Sequence, residues 1–132
     1  LCRALWSIGQ KKAVLGKELA DWSDLGVKEF WRRMDKNGYC WAIDSQGHRR
    51  PYSAIPKHVS DLTDNVWRSL ARAIRGDAFT NQDTPFQEFI WGDYFRTFMT
   101  QRLLEHDFEL AKNVATHIAH FKEAEDLPGY KL

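Results

Sequence analysis

The chain has 132 residues, of which 43% are hydrophobic and 14% aromatic, including six tryptophans. This length suits one domain whose core needs no disulfide or metal. The formal net charge of +1 argues against a dedicated duplex-DNA binder, which would present a strong basic field. Cys2 and Cys40 lack the spacing of a metal or redox motif, and no apolar run approaches the ~20 residues that span a bilayer. We therefore expect one cytoplasmic domain over residues 1–132.

Helical spacing of apolar residues is already present at the first residue. It is carried by Leu1, Ala4, Leu5 and Ile8. Gly9 can end this helix in a left-handed conformation. Because the pattern is running at a residue that is not Met, we expect a domain truncated at its N-terminus. Residues 13–19 are a brief apolar stretch and a candidate strand.

A second helix is predicted by an apolar face with helical spacing. Its members are Val27, Phe30, Trp31 and Met34. Ser23 or Asp24 can cap its start, and Gly38 can end it. Residues 39–43 alternate as a strand does, and a turn over 44–47 closes it. Residues 48–56 predict a strand end and a loop, since prolines there exclude a helix interior.

Three more helices are predicted after residue 63. Asp64 caps the first, which ends at Gly76. The run 84–87 (Thr-Pro-Phe-Gln) is typical of a capping box with proline at the first helical position, and predicts a helix from Phe86 to Leu104. Asp107 caps a last helix, which Leu127-Pro128-Gly129 stops. The predicted fold is α+β and predominantly helical, with about five helices and a small two- to three-stranded sheet.

Asp93 is the most conspicuous polar residue of the predicted helix 86–104. At ~100° per residue it falls within an apolar face. The other members of that face are Phe86, Phe89, Ile90, Thr97 and Leu104. A carboxylate buried there needs a cation, because burying it alone costs several kcal/mol. One interpretation is a buried link that docks two helices; the other is a carboxylate lining a cleft, where it could orient water or a metal near phosphate.

Two groups of cations are candidate phosphate ligands. Arg68, Arg72 and Arg75 recur at helical spacing and could hold phosphate through their guanidinium groups, or could pair with nearby carboxylates. The loop from Gly47 to Tyr52 contains His48, Arg49 and Arg50, and could hold an anion or stack a base. The same loop composition is also typical of an exposed hairpin end.

His117 and His120 have a spacing that can chelate a metal, but a third ligand is not evident, so a solvent-facing pair is the better interpretation. We predict no metal site. No Walker loop, dinucleotide fingerprint, nucleophile elbow or zinc motif is present in the sequence. The residues alone name no cofactor and leave enzymatic activity open.

Several stretches together resemble a known bacterial family. They are residues 19–25 (LADWSDL) with 30–34 (FWRRM), 44–52 (DSQGHRRPY), 61–71 (DLTDNVWRSLA), 85–96 (PFQEFIWGDYFR) and 127–130 (LPGY). The family is that of the ParB-like nucleases, in the ParB/sulfiredoxin superfamily, and the resemblance runs along essentially the whole chain. It implies a module that engages nucleotide or nucleic-acid phosphate, with hydrolysis as an inferred activity.

By this resemblance, Trp91, Asp93 and Arg96 match the family signature Phe-x-Trp-x-Asp-x-x-Arg. Asp93, Arg96 and His48 are the candidate catalytic residues. The resemblance also implies that the Asp/His-rich turn at which the superfamily handles phosphate precedes Leu1. The alternative function is a non-catalytic protein-interaction or oligomerisation domain, in which aromatic residues outside the core form a surface patch.

Overall fold

The computed structural model describes residues 16–56 and 58–132, which divide into two compact units. Unit 1 takes the described residues within 16–43 and 49–63, and unit 2 takes Asp44–His48 and Asp64–Leu132. The predicted first helix, and residues 13–15 of the first candidate strand, lie outside the described residues.

Unit 1 contains one α-helix in its described part, α1 (Val27–Lys36). Gly26 precedes it and offers no side-chain cap, so the predicted capping by Ser23 or Asp24 is wrong. Those two residues instead form a turn before the helix. The predicted end at Gly38 is confirmed, because this glycine takes a left-handed conformation (φ +66°) two residues after the helix.

The predicted two- to three-stranded sheet is wrong. Within the described residues, the segment 39–43 makes only an isolated antiparallel bridge, from Ile43 to Arg49. Pro51 has no N–H to donate, and the chain then turns away through a 3₁₀ helix at Tyr52–Ala54, so the pairing cannot extend. Residues 16–19 have no regular secondary structure. The described fold is therefore helical.

Unit 2 contains four α-helices, followed by a 3₁₀ helix at Lys122–Ala124. The α-helices are α2 (Val66–Ile74), α3 (Gln87–Phe95), α4 (Gln101–His106) and α5 (Phe108–Ile118). Helix α2 packs against the other three, and α4 also packs against α5. The largest fully buried side chains are Trp91, Phe79, Phe95 and Leu70. Burying such aromatic side chains removes about 150–250 Å² each from water, so they dominate the core.

Side-chain caps fix where two of these helices begin. Asp107 caps α5 as predicted, accepting a 2.9 Å hydrogen bond from the Leu110 N–H. For α2 the predicted cap is one residue off: Asn65, not Asp64, accepts from the Arg68 N–H at 3.0 Å. Helix α5 ends at Ile118, well before the predicted stop at residues 127–129.

The predicted helix from Phe86 to Leu104 is wrong as a single element. The helix ends at Phe95. Just after it, backbone hydrogen bonds span three residues instead of four, and the Thr97 hydroxyl donates to the Tyr94 carbonyl at 2.7 Å. The capping box does not form either, because Phe86 is left-handed (φ 62°) and gives no side-chain cap. The predicted apolar face ran across this break, and Thr97 is in fact exposed.

Candidate functional site

Asp93 and Arg96 form an ion pair at the end of α3. The Arg96 Nη2 lies 2.6 Å from the Asp93 Oδ1, and the two side chains retain 17% and 29% of their exposure. The sequence-based expectation that Asp93 has a cationic partner is confirmed. The partner is three residues further along the same segment.

The Arg96 guanidinium also contacts the turn Asp44–His48, which belongs to the same unit. Its Nη1 donates to the Ser45 carbonyl at 3.3 Å, and it lies 6.0 Å from the centre of the Trp67 ring. A Cβ atom on Gly47 would come within 2.6 Å of Nη1, so glycine permits this close approach. Arg96 therefore links α3 to both the turn and α2.

The turn itself is organised by Asp44. One carboxylate oxygen, Oδ1, accepts the backbone N–H groups of Gln46 at 3.0 Å and His48 at 2.9 Å. The predicted turn at residues 44–47 is thus confirmed. The His48 side chain is 69% exposed, with its Nδ1 3.8 Å from the same oxygen. An exposed imidazole on a fixed turn can meet a ligand, and its catalytic role stays a prediction.

Burial raises the pKa of Asp93, and the nearby Arg96 charge only partly opposes this shift. Among the described residues, the Asp93 Oδ1 and the Arg96 Nε have no aligned hydrogen-bond partner, although both atoms are inaccessible. The ion pair is therefore close but poorly aligned. Such a pair can act as a proton-sensitive link or can hold the turn in place.

This raised pKa predicts how the Asp93→Asn variant depends on pH. Between the ordinary carboxyl pKa of 3.8 and the raised value, the folded chain binds a proton that the unfolded chain has lost. The stability of the natural chain relative to Asp93→Asn should therefore increase as pH falls through that window. Urea unfolding of both proteins from pH 7 to pH 4 measures the difference. A difference that decreases towards pH 4 would contradict the shift.

Trp91, the third residue of the predicted signature, binds the C-terminal segment of the chain. Its Nε1 donates to the Pro128 carbonyl at 2.8 Å, and the buried Gln87 amide donates to the same oxygen at 2.9 Å. Thr80 bonds the next residue, because its N–H and its hydroxyl both donate to the Gly129 carbonyl, at 2.8 and 3.0 Å. We call this arrangement the C-terminal clasp (Thr80, Gln87, Trp91, Pro128 and Gly129). Trp91 is thus part of the core.

The three arginines of α2 and its end face different surroundings. Arg75 donates to Glu88 Oε1 at 2.8 Å, and Arg72 lies 4.0 Å from the same oxygen. Arg68 forms no ion pair with any described residue. Two of the three predicted phosphate ligands are therefore already paired with Glu88, which fits the interpretation of a carboxylate-paired flank. Their phosphate-binding role stays a prediction.

Arg49 and Arg50 lie in unit 1, where both are exposed. The Arg49 guanidinium bonds to the Asp35 carboxylate at the end of α1, and its side chain is 63% exposed. The two units also differ in charge. The described residues of unit 1 include seven Lys and Arg against six Asp and Glu, a formal +1, whereas unit 2 carries eight against twelve, a formal −4. The net charge of +1 therefore conceals an acidic unit 2.

Sequence reasoning missed an aromatic-lined cavity in unit 1, of about 650 Å³. We call it the unit 1 cavity. Its lining includes the rings of Trp22, Phe30, Trp31 and Tyr39 and the side chain of Lys17. Its volume lies in the range typical of small-ligand sites. Three of these rings come from the sequence 22–31, so the local density of aromatic residues was the available signal.

The described residues offer no group of three His, Cys, Asp or Glu side chains that could hold a metal ion. His117 packs its ring against Phe121, and the His120 Nδ1 lies 2.9 Å from the Lys131 carbonyl oxygen. Both histidines are exposed, as predicted. Cys40 is a half-buried free thiol. In the described part of the chain, every helix is too short or too polar to traverse a lipid bilayer.

Comparisons with known proteins give a family match and a similar crystal structure. A family model described as "Putative ParB-like nuclease" matches residues 1–97, a range that ends just after Arg96 and omits the motif at 127–130. No curated protein matches. The chain is similar to the crystal structure of protein Atu1540 from Agrobacterium tumefaciens, with 39% identity and a TM-score of 0.80 over 86% of this chain and 59% of that one. It thus spans less than two thirds of that protein, and it belongs to the ParB-like nuclease family.

Proposed function

We propose that this chain binds the phosphates of nucleic acid through unit 1, with Arg49 and Arg50 as the principal ligands. The observation that carries the proposal is the exposure of both guanidinium-bearing side chains on a unit whose described residues have a formal charge of +1, whereas unit 2 has −4. Exposed guanidinium groups attract a polyanion, and their contacts with phosphates release counterions. Membership of the ParB-like nuclease family supports the same class of ligand.

The exposure of Arg49 supports its role as a ligand. Its pair with Asp35 is solvent-exposed on both sides, and exposed pairs contribute only about 0–1 kcal/mol. A phosphate can therefore replace the carboxylate at little cost. Arg75 differs, since it is 24% exposed and pairs with Glu88, which is 16% exposed. The proposal accordingly rests on the arginines of unit 1.

Replacing both ligands tests the proposal. Arg49→Ala with Arg50→Ala should weaken binding of a fluorescein-labelled oligonucleotide at least about tenfold at low salt, since hydrogen bonds to charged groups contribute about 1.5–3 kcal/mol each. The slope of log affinity against log salt should become shallower by about 1.4, or ~0.7 for each lost contact with a single strand. Fluorescence anisotropy across a salt series measures both quantities.

The matched control is Arg102→Ala with Lys122→Ala, which removes the same charge from two exposed positions of unit 2. We expect the control to bind nearly as well as the natural chain. Equal weakening by both double variants would mean that only total charge matters and would refute a site at Arg49 and Arg50. Adding Mg²⁺ to the same samples and resolving the labelled strand on a gel tests for hydrolysis.

A second candidate function is self-association through unit 2. Three large apolar side chains of this unit are exposed: Phe98 at 46%, Leu110 at 47% and Phe108 at 39%. Exposed apolar side chains can form the centre of a protein interface. Light scattering of the natural chain and of a Phe98→Ser variant tests this function, which requires a dimer or larger assembly that the substitution weakens.

A further inference from the structure

Unit 1 contains a continuous series of aromatic rings that it does not fully bury. Neighbouring ring centres are 5.4 Å apart for Tyr52 and Trp31, 5.3 Å for Trp31 and Phe30, 6.4 Å for Phe30 and Trp22, and 6.0 Å for Trp22 and Tyr39. Helix α1 has no fully buried residue. In unit 2, by contrast, the rings of Trp91, Phe79 and Phe95 are completely inaccessible. The rings of unit 1 thus form a surface as well as a local core.

Four of these rings line the unit 1 cavity, together with aliphatic side chains and Lys17. Tyr39, at its edge, is 36% exposed and stacks on Trp22 with their planes 25° apart. The Arg33 guanidinium lies over the Trp22 ring, 5.9 Å from its centre. Flat rings and a nearby cation suit a planar, apolar group that is attached to an anion.

We propose that the unit 1 cavity binds an unpaired base of a single-stranded nucleic acid. The inference rests on the proposed function, because it assumes that phosphates of the same strand contact Arg49 and Arg50. Lys17 in the lining and the Arg33 guanidinium on the Trp22 ring favour a polyanion over an apolar peptide as the occupant. A base in a duplex is stacked on both faces and cannot enter, so the cavity selects single strands.

Three probes of equal length separate this inference from phosphate binding alone. They are a thymidine oligonucleotide, its duplex with the complementary strand, and a strand of the same backbone with abasic sites. We expect the natural chain to bind the single strand about tenfold more tightly than the abasic strand, which keeps the phosphates but lacks bases. Equal affinity for these two probes would overturn the base-binding role.

A variant pair gives an independent readout. Tyr39→Leu should weaken binding of the single strand about tenfold and leave the abasic strand unaffected, whereas Tyr39→Phe should bind like the natural chain. Leu132→Ala is the control, because it removes a fully exposed apolar side chain from unit 2. Near-ultraviolet circular dichroism verifies that each variant is folded. Binding that depends on Arg49 and Arg50 but not on Tyr39 would refute only the base site, and no binding of any probe would refute both proposals.

Discussion

Replacing Gly129 with alanine is expected to lower the free energy of unfolding by about 4 kcal/mol, since it combines backbone strain with a steric clash in the core. A Cβ at this position would lie 2.1 Å from the Thr80 carbonyl oxygen and 2.6 Å from the Gln87 Nε2. Gly129 also has a φ of +78°, which costs an L-residue roughly 1–2 kcal/mol. The segment would have to move, and the C-terminal clasp would then lose its hydrogen bonds.

The control for this prediction is Gly76→Ala, in the same unit. Gly76 also has a positive φ, of +101°, but an added Cβ there would meet no atom within 4 Å. The free energy of unfolding of this variant should fall only by the cost of the left-handed backbone conformation, about 1–2 kcal/mol. Urea unfolding followed by tryptophan fluorescence measures both variants. Similar losses for the two would mean that the clasp can relax around the extra methyl group at little cost.

Local sequence patterns predict the helices well and their ends less well. Helix α5 begins where Asp107 predicts, because an N-cap needs only one side chain and the N–H three residues on. The break after Phe95 depends instead on competition between the backbone and the Thr97 hydroxyl, which an apolar face does not reveal. The prediction of a small sheet was wrong for a similar reason. The alternation of apolar and polar residues in 39–43 cannot show whether a partner strand continues past Pro51.

The candidate site is predictable only where its parts are close in sequence. The need of Asp93 for a cation follows from its apolar neighbours, whereas the choice of Arg96 depends on where α3 ends. The contact of Arg96 with Ser45 joins residues 51 positions apart, which no local pattern encodes. The acidic charge of unit 2 also escapes a whole-chain count, because cations elsewhere in the sequence offset it.

The second large effect concerns Arg96→Ala, which should lower the free energy of unfolding by about 3 kcal/mol. The variant leaves the partly buried Asp93 carboxylate without its cation, and it loses the contacts with the Ser45 carbonyl and the Trp67 ring. The pKa of Asp93 should also rise further, because the Arg96 charge lowers it in the natural chain. Arg96→Ala should therefore regain more stability than the natural chain as pH falls from 7 towards the ordinary carboxyl pKa of 3.8.

A double-mutant cycle separates the ion pair from the other contacts of Arg96. If the unpaired carboxylate causes much of the loss, then adding Asp93→Asn to Arg96→Ala should recover about 1 kcal/mol or more, because an amide is less costly to bury than a charge. Urea unfolding of the four proteins at pH 7 gives the coupling free energy. Strictly additive losses would mean that Arg96 stabilises the unit through Ser45 and Trp67 alone. Recovery of stability in the double variant would instead make Asp93 the residue that keeps the guanidinium on the turn.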